Sequence, residues 1–158
     1  MPTWRVGFIL VALMASPPRP IDPRGPRFNQ AVLAASLLAG FLFDVRIVVP
    51  IFAVVLFLGA AFGPRYGPLL RLYADVIKPR LAPPSFMEDP RPPRFAATLG
   101  VVMLTAATLA FLAGLAGVGW ILAVIVATLA GLSAATGLCV GCEIWLLFAR
   151  RRGVQLAG

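Results

Sequence analysis

WILAVIVATLAGLSAATGLCVGC, residues 120–142, runs for 23 positions without a charged side chain. A helix that crosses a bilayer needs about 17–25 mostly apolar residues, because the hydrocarbon core is about 30 Å thick and a helix rises about 1.5 Å per residue. The stretch therefore reads as a membrane span. Its apolar character continues to Phe148, so an unbroken helix from Trp120 would extend about 43 Å and overshoot that core. Gly137 and Gly141 are the places to interrupt it. A turn there leaves Glu143, Ile144, Trp145, Leu146, Leu147 and Phe148 near the headgroups, with Arg150, Arg151 and Arg152 beyond.

Three further apolar blocks precede this one, at residues 28–43, 47–62 and 95–113. The first two are short for a span. They suffice if Asn29, Gln30 and a snorkelling Arg27 occupy one interface. The turns at residues 44–46 and 114–119 are too brief for anything but tight antiparallel hairpins. Hydrophobic residues make up 60% of the chain and charged ones 13%, against roughly 45–50% and 25% in soluble domains. The expected fold is all-α: a polytopic membrane protein of four transmembrane helices, arranged as two tandem helical hairpins with a parallel internal repeat. The segments are an apolar N-terminal extension (1–20), a first motif and hairpin (21–63), a cytoplasmic amphipathic connector (64–88), a second motif and hairpin (89–149) and a basic tail (150–158).

Charge orients this arrangement. The net charge is +8, and with four spans every Lys and Arg except Arg46 falls on one side. Lys and Arg near span ends favour the cytoplasm, which places a multi-pass protein in the plasma (inner) membrane with both termini cytoplasmic. The basic residues are not interleaved with aromatic ones, so no nucleic-acid partner is expected. Residues 6–15, behind Arg5, resemble a signal-peptide core. Export would put the basic face outside, so this segment reads as an interfacial helix or an extension from an early start codon. In the connector, Tyr66, Leu69, Leu70, Tyr73 and Ile77 fall on one helical face, as in an amphipathic helix lying in the interface with tyrosine at headgroup level.

The repeat is visible directly. Asp22-Pro23-Arg24-Gly25-Pro26-Arg27-Phe28 returns 67 residues later as Asp89-Pro90-Arg91-Pro92-Pro93-Arg94-Phe95, with six of seven positions identical. Proline fixes the backbone, so the aspartates can turn or cap while Arg24, Arg27, Arg91 and Arg94 gather. Four guanidinium groups suit an oxyanion or a phospholipid headgroup. The plainer reading is topogenic charge. Asn29 and Gln30 follow the first copy, where the second has Ala96 and Ala97; hydrogen bonds across helices are their simplest role. Small residues recur every four positions at Ala31, Ala35 and Ala39, at Ala106, Ala110 and Gly114, and at Ala127, Gly131 and Ala135. Such faces serve either internal packing or homo-oligomerisation.

The chain has no histidine and two cysteines, both in Cys139-Val140-Gly141-Cys142. Two cysteines at this spacing bring their sulfurs together at a turn or helix start, where one thiol is readily activated. Arg150 to Arg152 would favour the thiolate, and Glu143 would oppose it. Thiol–disulfide exchange or sulfur transfer is one reading; two small inert residues packing a helix end is another. Two thiolates without histidine supply half a tetrahedral site, so no metal or cofactor is expected.

The run Ile21-Asp22-Pro23-Arg24-Gly25-Pro26-Arg27-Phe28-Asn29-Gln30, together with Cys139-Val140-Gly141-Cys142, resembles a family of bacterial integral membrane proteins, the domain of unknown function numbered 4395. The resemblance covers roughly residues 21–152. Members are often encoded beside thioredoxin-like and sulfurtransferase proteins, which implies a thiol- or sulfur-handling context and a partner of that kind. The expected function is thiol–disulfide exchange or sulfur relay through a cytoplasm-facing pair, with either Cys139 or Cys142 as attacking thiolate and the other resolving. The alternative is a small transporter, or an anion- or lipid-binding protein built on the duplicated arginines.

Overall fold

The structure, a computed structural model, describes residues 21–63, 67–84 and 88–151. Expectations that rest on residues 1–20, Arg65, Tyr66 and Arg152 lie outside these. The described chain is all-α, with six α-helices: α1 Arg24–Leu42, α2 Val48–Phe62, α3 Pro68–Leu72, α4 Arg91–Leu112, α5 Ala116–Thr136 and α6 Val140–Arg151.

The two Asp-Pro-Arg motifs start α1 and α4 in the same way. Asp22 Oδ1 accepts from the Arg24 amide at 2.9 Å and Asp89 Oδ1 from the Arg91 amide at 2.9 Å. An aspartate that bonds the backbone two residues on makes a turn, and the proline between holds φ at a value a helix accepts. Immediately before these turns, Ile21 and Glu88 pair as an antiparallel β-bridge, exchanging two backbone hydrogen bonds of 2.9 Å.

α1 and α4 also end alike. After α1, Val45 N–H returns to the Gly40 carbonyl at 2.8 Å and Asp44 N–H to Phe41 at 3.3 Å; after α4, Leu115 returns to Ala110 at 2.8 Å and Gly114 to Phe111 at 3.1 Å. This double return closes a helix on a left-handed residue, here Asp44 at φ 50° and Gly114 at φ 78°. Aspartate tolerates that region better than most residues because its short side chain bonds locally. Asp44 does so with Arg46, at 3.2 and 3.0 Å. It also reaches across the fold, accepting from Trp120 Nε1 at 2.9 Å. Phe41 and Phe111 meet the Trp120 ring edge-on, at 5.6 and 5.1 Å between centroids. The local Asp44–Arg46 pair is thus part of a latch between the turn after α1 and the first turns of α5.

α1 packs chiefly on α5, and α2 on α4, while α1 and α2 touch little. The hairpins interleave instead of standing side by side. Their shared core includes Leu37, Val49, Leu104, Ala107, Ala123 and Ala127, all essentially inaccessible. Of the small-residue rows, the one at Ala127 and Gly131 faces this core, where Gly131 lies against Ala34. Ala31, Ala35 and Ala39 point outward, and α1 buries Leu33, Ala34 and Leu37.

α4 and α5, of 22 and 21 residues, are long and apolar enough to cross a membrane. Within their most apolar stretches only 11% and 39% of residues are buried by protein, so most of that surface is left for a surrounding medium. α2 is apolar but has 15 residues, and α1 carries Arg24, Arg27, Asn29 and Gln30 in its first two turns.

The connector differs from a single interfacial helix. α3 passes into one wide π-type turn, Tyr73–Ile77, and a 3-10 turn, Lys78–Arg80. Tyr73 is 4% exposed. Its hydroxyl donates to Asp22 Oδ2 at 3.2 Å, and its ring lies 5.8 Å from that of Phe28. A buried tyrosine needs a partner for its hydroxyl, and the first motif supplies one.

Candidate functional site

α5 stops at Gly137, whose φ of 77° is left-handed. The chain then runs through Leu138, whose amide donates to Thr136 Oγ1 at 3.1 Å, and re-enters a helix at Val140. The Cys139 carbonyl accepts the first helical bond of α6, from Glu143 at 2.9 Å. Cys139 is therefore the N-cap residue of α6, the position whose side chain faces the unsatisfied N–H groups of the first turn.

Those groups converge on sulfur. The Cys142 thiol, the amides of Cys142 and Gly141 and the Ser133 hydroxyl all favour the thiolate at Cys139. Gln30 Nε2 approaches it from α1 at 3.9 Å. The Cys142 thiol above all, then the amides and Ser133, outweigh burial and lower the Cys139 thiol to about 6. Cys142 moves the other way. Its proton is held by Cys139, and burial and the charges of Cys139, Glu88 and Glu143 raise it further. Both thiols are free and half-buried.

The activation comes first from the Cys142 thiol and then from the amides of the first turn of α6, not from the C-terminal arginines. Arg150 and Arg151 close the far end of a 12-residue helix, about 16 Å along its axis. Gly141, in the first turn of α6, lies against α4: a Cβ there would meet Ala96 Cβ at 2.7 Å and Ala96 Cα at 2.9 Å. Only glycine lets the N–H groups of that turn sit where they do.

The motif arginines go to different places. The Arg27 guanidinium lies over Gly137, where a Cβ would collide with it, and it borders the thiol pair. Arg94 donates to the Ala60 carbonyl at 3.3 and 3.0 Å and to Ala61 at 3.4 Å, capping the end of α2. Arg24 donates to the Ala82 carbonyl at 3.1 Å. Arg91 is half-buried near the start of α4, with Nε buried and unbonded.

The cysteine pair borders a pocket of about 230 Å³ that contains Arg27, Glu88, Asp89, Ser133 and Glu143. A second, apolar pocket of about 200 Å³ lies between the helices, and Cys139 and Gln30 stand in the walls of both. Among the described residues, no group of three or more His, Cys, Asp or Glu side chains is placed to hold a metal ion. Gln30 and Ser133 join the site from α1 and α5. The signal for each in the sequence is a polar side chain inside an apolar block.

An N-capping thiol predicts a pH profile. Alkylation of Cys139 by iodoacetamide should rise through a midpoint near pH 6, where an ordinary thiol would show about 8.5. Mass spectrometry of the labelled protein, resolved by residue, measures it; a midpoint above pH 8 would remove the activation.

Fold and site together define a small all-α protein with membrane-type helices and a paired thiol at a helix start. The family model described as a domain of unknown function, DUF4395, matches residues 21–150, and the chain belongs to that family. No curated protein and no solved structure matches it.

Proposed function

We propose that this protein is a four-span membrane protein that carries out thiol–disulfide exchange or sulfur relay at its cytoplasmic face, with Cys139 attacking and Cys142 resolving. The observation that carries the reading is the place of Cys139 at the N-cap of α6 with Cys142 in the first turn, where the partner thiol and two backbone amides favour the Cys139 thiolate. In exchange, the Cys139 thiolate attacks one sulfur of a partner disulfide and the other sulfur leaves as thiolate. Cys142 then gives up its proton and attacks Cys139. The intramolecular S–S bond forms, the mixed disulfide breaks, and the partner departs reduced. A thioredoxin-like or sulfurtransferase protein is the partner this chemistry suits.

The four-span, duplicated arrangement has its own support. Ile21 and Glu88, which form the bridge, stand 67 residues apart, the same offset as the two motifs. On the duplicated reading, a two-fold axis at that bridge would exchange α1 with α4 and α2 with α5. It would then map the α1–α5 contact onto the α4–α2 contact, the two principal contacts between the hairpins. α1 and α2 complete the spans if the polar first turns of α1 lie in the interface. The charge asymmetry puts both motifs and the thiol pair on the cytoplasmic side.

The test is alkylation of Cys139 in intact cells with a membrane-permeant and an impermeant maleimide. The permeant reagent should label and the impermeant one should not. No labelling by either, under reducing or oxidising conditions, would remove the thiol function; impermeant labelling from outside would invert the topology. A transporter or anion binder built on the arginines would instead lose flux with Arg24→Ala or Arg91→Ala and keep it with Cys139→Ala.

A further inference from the structure

The exchange reading leaves the apolar pocket without a task. It is bounded by Leu33, Leu56, Met103 and Val126 from the four long helices. Its polar lining residues are Asn29, Gln30, Arg94 and Cys139, and Gln30 Nε2 reaches the Cys139 sulfur at 3.9 Å. Leu99, Ile125 and Leu129 also line it, and all three are exposed on the apolar outside of α4 and α5, at 40%, 42% and 43%. The mouth therefore opens onto the surface that lipid would cover, and the floor ends on a reactive sulfur.

Three features narrow the occupant. Its size is that of a single substituted ring, since a cavity of about 150 Å³ holds benzene and this one is about 200 Å³. Its route of entry is through an apolar surface. Its polar part can accept hydrogen bonds from the amide groups of Asn29 and Gln30 and from the Arg94 guanidinium, which line the pocket, and an occupant beside Cys139 that takes up electrons is the one the thiol pair can use. A saturated lipid tail meets the first two conditions and fails the third. A quinone ring on an apolar tail meets all of them.

We infer that this pocket binds the ring of a lipid-soluble quinone, which takes two electrons from the Cys139–Cys142 pair. The inference rests on the thiol reading above, with the exchange run in its reverse direction: a partner dithiol reduces the Cys139–Cys142 disulfide and leaves as a disulfide, and the quinone reoxidises the pair. The Cys139 thiolate adds to the ring, forming an S–C bond. Cys142 loses its proton and attacks the Cys139 sulfur, so that the S–S bond forms and the S–C bond breaks with its electron pair left on the ring. One proton from Cys142 and one from water complete the quinol. The balance is one quinone and two thiols in, one quinol and one disulfide out.

The experiment uses the reduced full-length protein in lipid nanodiscs without oxygen, with decylubiquinone as oxidant, following quinone absorbance and the thiol count together. One quinone should be consumed per disulfide formed. Ala97→Phe on α4 and Leu129→Trp on α5 fill the pocket from two sides and leave the thiols in place. Each should slow quinone reduction at least tenfold while reaction with 5,5′-dithiobis(2-nitrobenzoate) stays unchanged, which also shows that the variants fold. If wild type reacts with that reagent to form its disulfide but not with decylubiquinone, or if both filled variants reduce quinone at the wild-type rate, the quinone site is overturned and the exchange reading stands. If wild type forms no intramolecular disulfide with either oxidant, both fall.

Discussion

Cys142→Ser should trap a stable mixed disulfide on Cys139, and Cys139→Ser should nearly abolish reaction. With 5,5′-dithiobis(2-nitrobenzoate) at pH 7, wild type should release two thionitrobenzoate anions per chain, the second as Cys142 closes the internal disulfide. Cys142→Ser should release one and keep the adduct. In Cys139→Ser the remaining thiol is half-buried, and burial, followed by the charges of Glu88 and Glu143, still favours its protonated form. A protonated thiol is not a nucleophile, so the rate should fall on the order of 100-fold. The asymmetry has a simple origin. A thiol at about 6 is about 90% ionised at pH 7, whereas one at about 8.5 is about 3% ionised. Absorbance of the released anion gives both stoichiometry and rate. Equal rates for the two serine variants would remove the assignment of Cys139 as attacking thiolate.

The second large effect should come from Gly141→Val, which changes no sulfur. The new Cβ would fall 2.9 Å from Ala96 Cα, and a backbone atom inside a helix cannot swing aside as a side-chain tip can. α6 must move off α4. Overpacking of this kind costs about 1–3 kcal/mol, visible as a lower unfolding temperature. The more specific consequence is chemical: the Gly141 and Cys142 amides shift from the Cys139 sulfur, and its alkylation midpoint should climb from about 6 toward an ordinary ~8.5. Val140→Ala, at a neighbouring outward-facing position that is 40% exposed, should leave the midpoint where it is. A Gly141→Val protein with an unaltered midpoint would mean that the N-terminus of α6 does not activate the thiol.

Much of this was legible in the sequence because bilayer physics acts on composition and length. The apolar blocks, the break at Gly137 and the helix after it follow from counting residues against about 30 Å. How the helices pair did not follow. Helices that are apolar all round have no contrasting face, so the row at Ala31, Ala35 and Ala39 could not be distinguished from the buried set Leu33, Ala34 and Leu37. Tyr73 looked interfacial by spacing, yet what fixes it is a hydrogen bond to Asp22, 51 positions away. At the site, the cysteine spacing was readable and the source of activation was not. Arg150 and Arg151 are near in sequence but sit at the other end of α6, while the effective groups are the Cys142 thiol and, after it, backbone amides that every sequence possesses. Ser133 and Gln30 reach the sulfur only because α5 and α1 cross there.

The bridge between Ile21 and Glu88 joins two stretches of one chain, not two identical subunits, and that distinction has a consequence at the sulfur. In a symmetric dimer of a single hairpin, one mutation would alter both halves at once. Within one chain, positions 67 apart are free to diverge. Gln30 on α1 carries an amide group beside Cys139, while Ala96, which stands on α4 where α1 has Asn29, offers a surface bare enough for Gly141 to lie against. A symmetric pair would have to choose between feeding the sulfur and seating its helix. With both motifs in one chain, the residues that follow each can differ, one as donor and the other as floor.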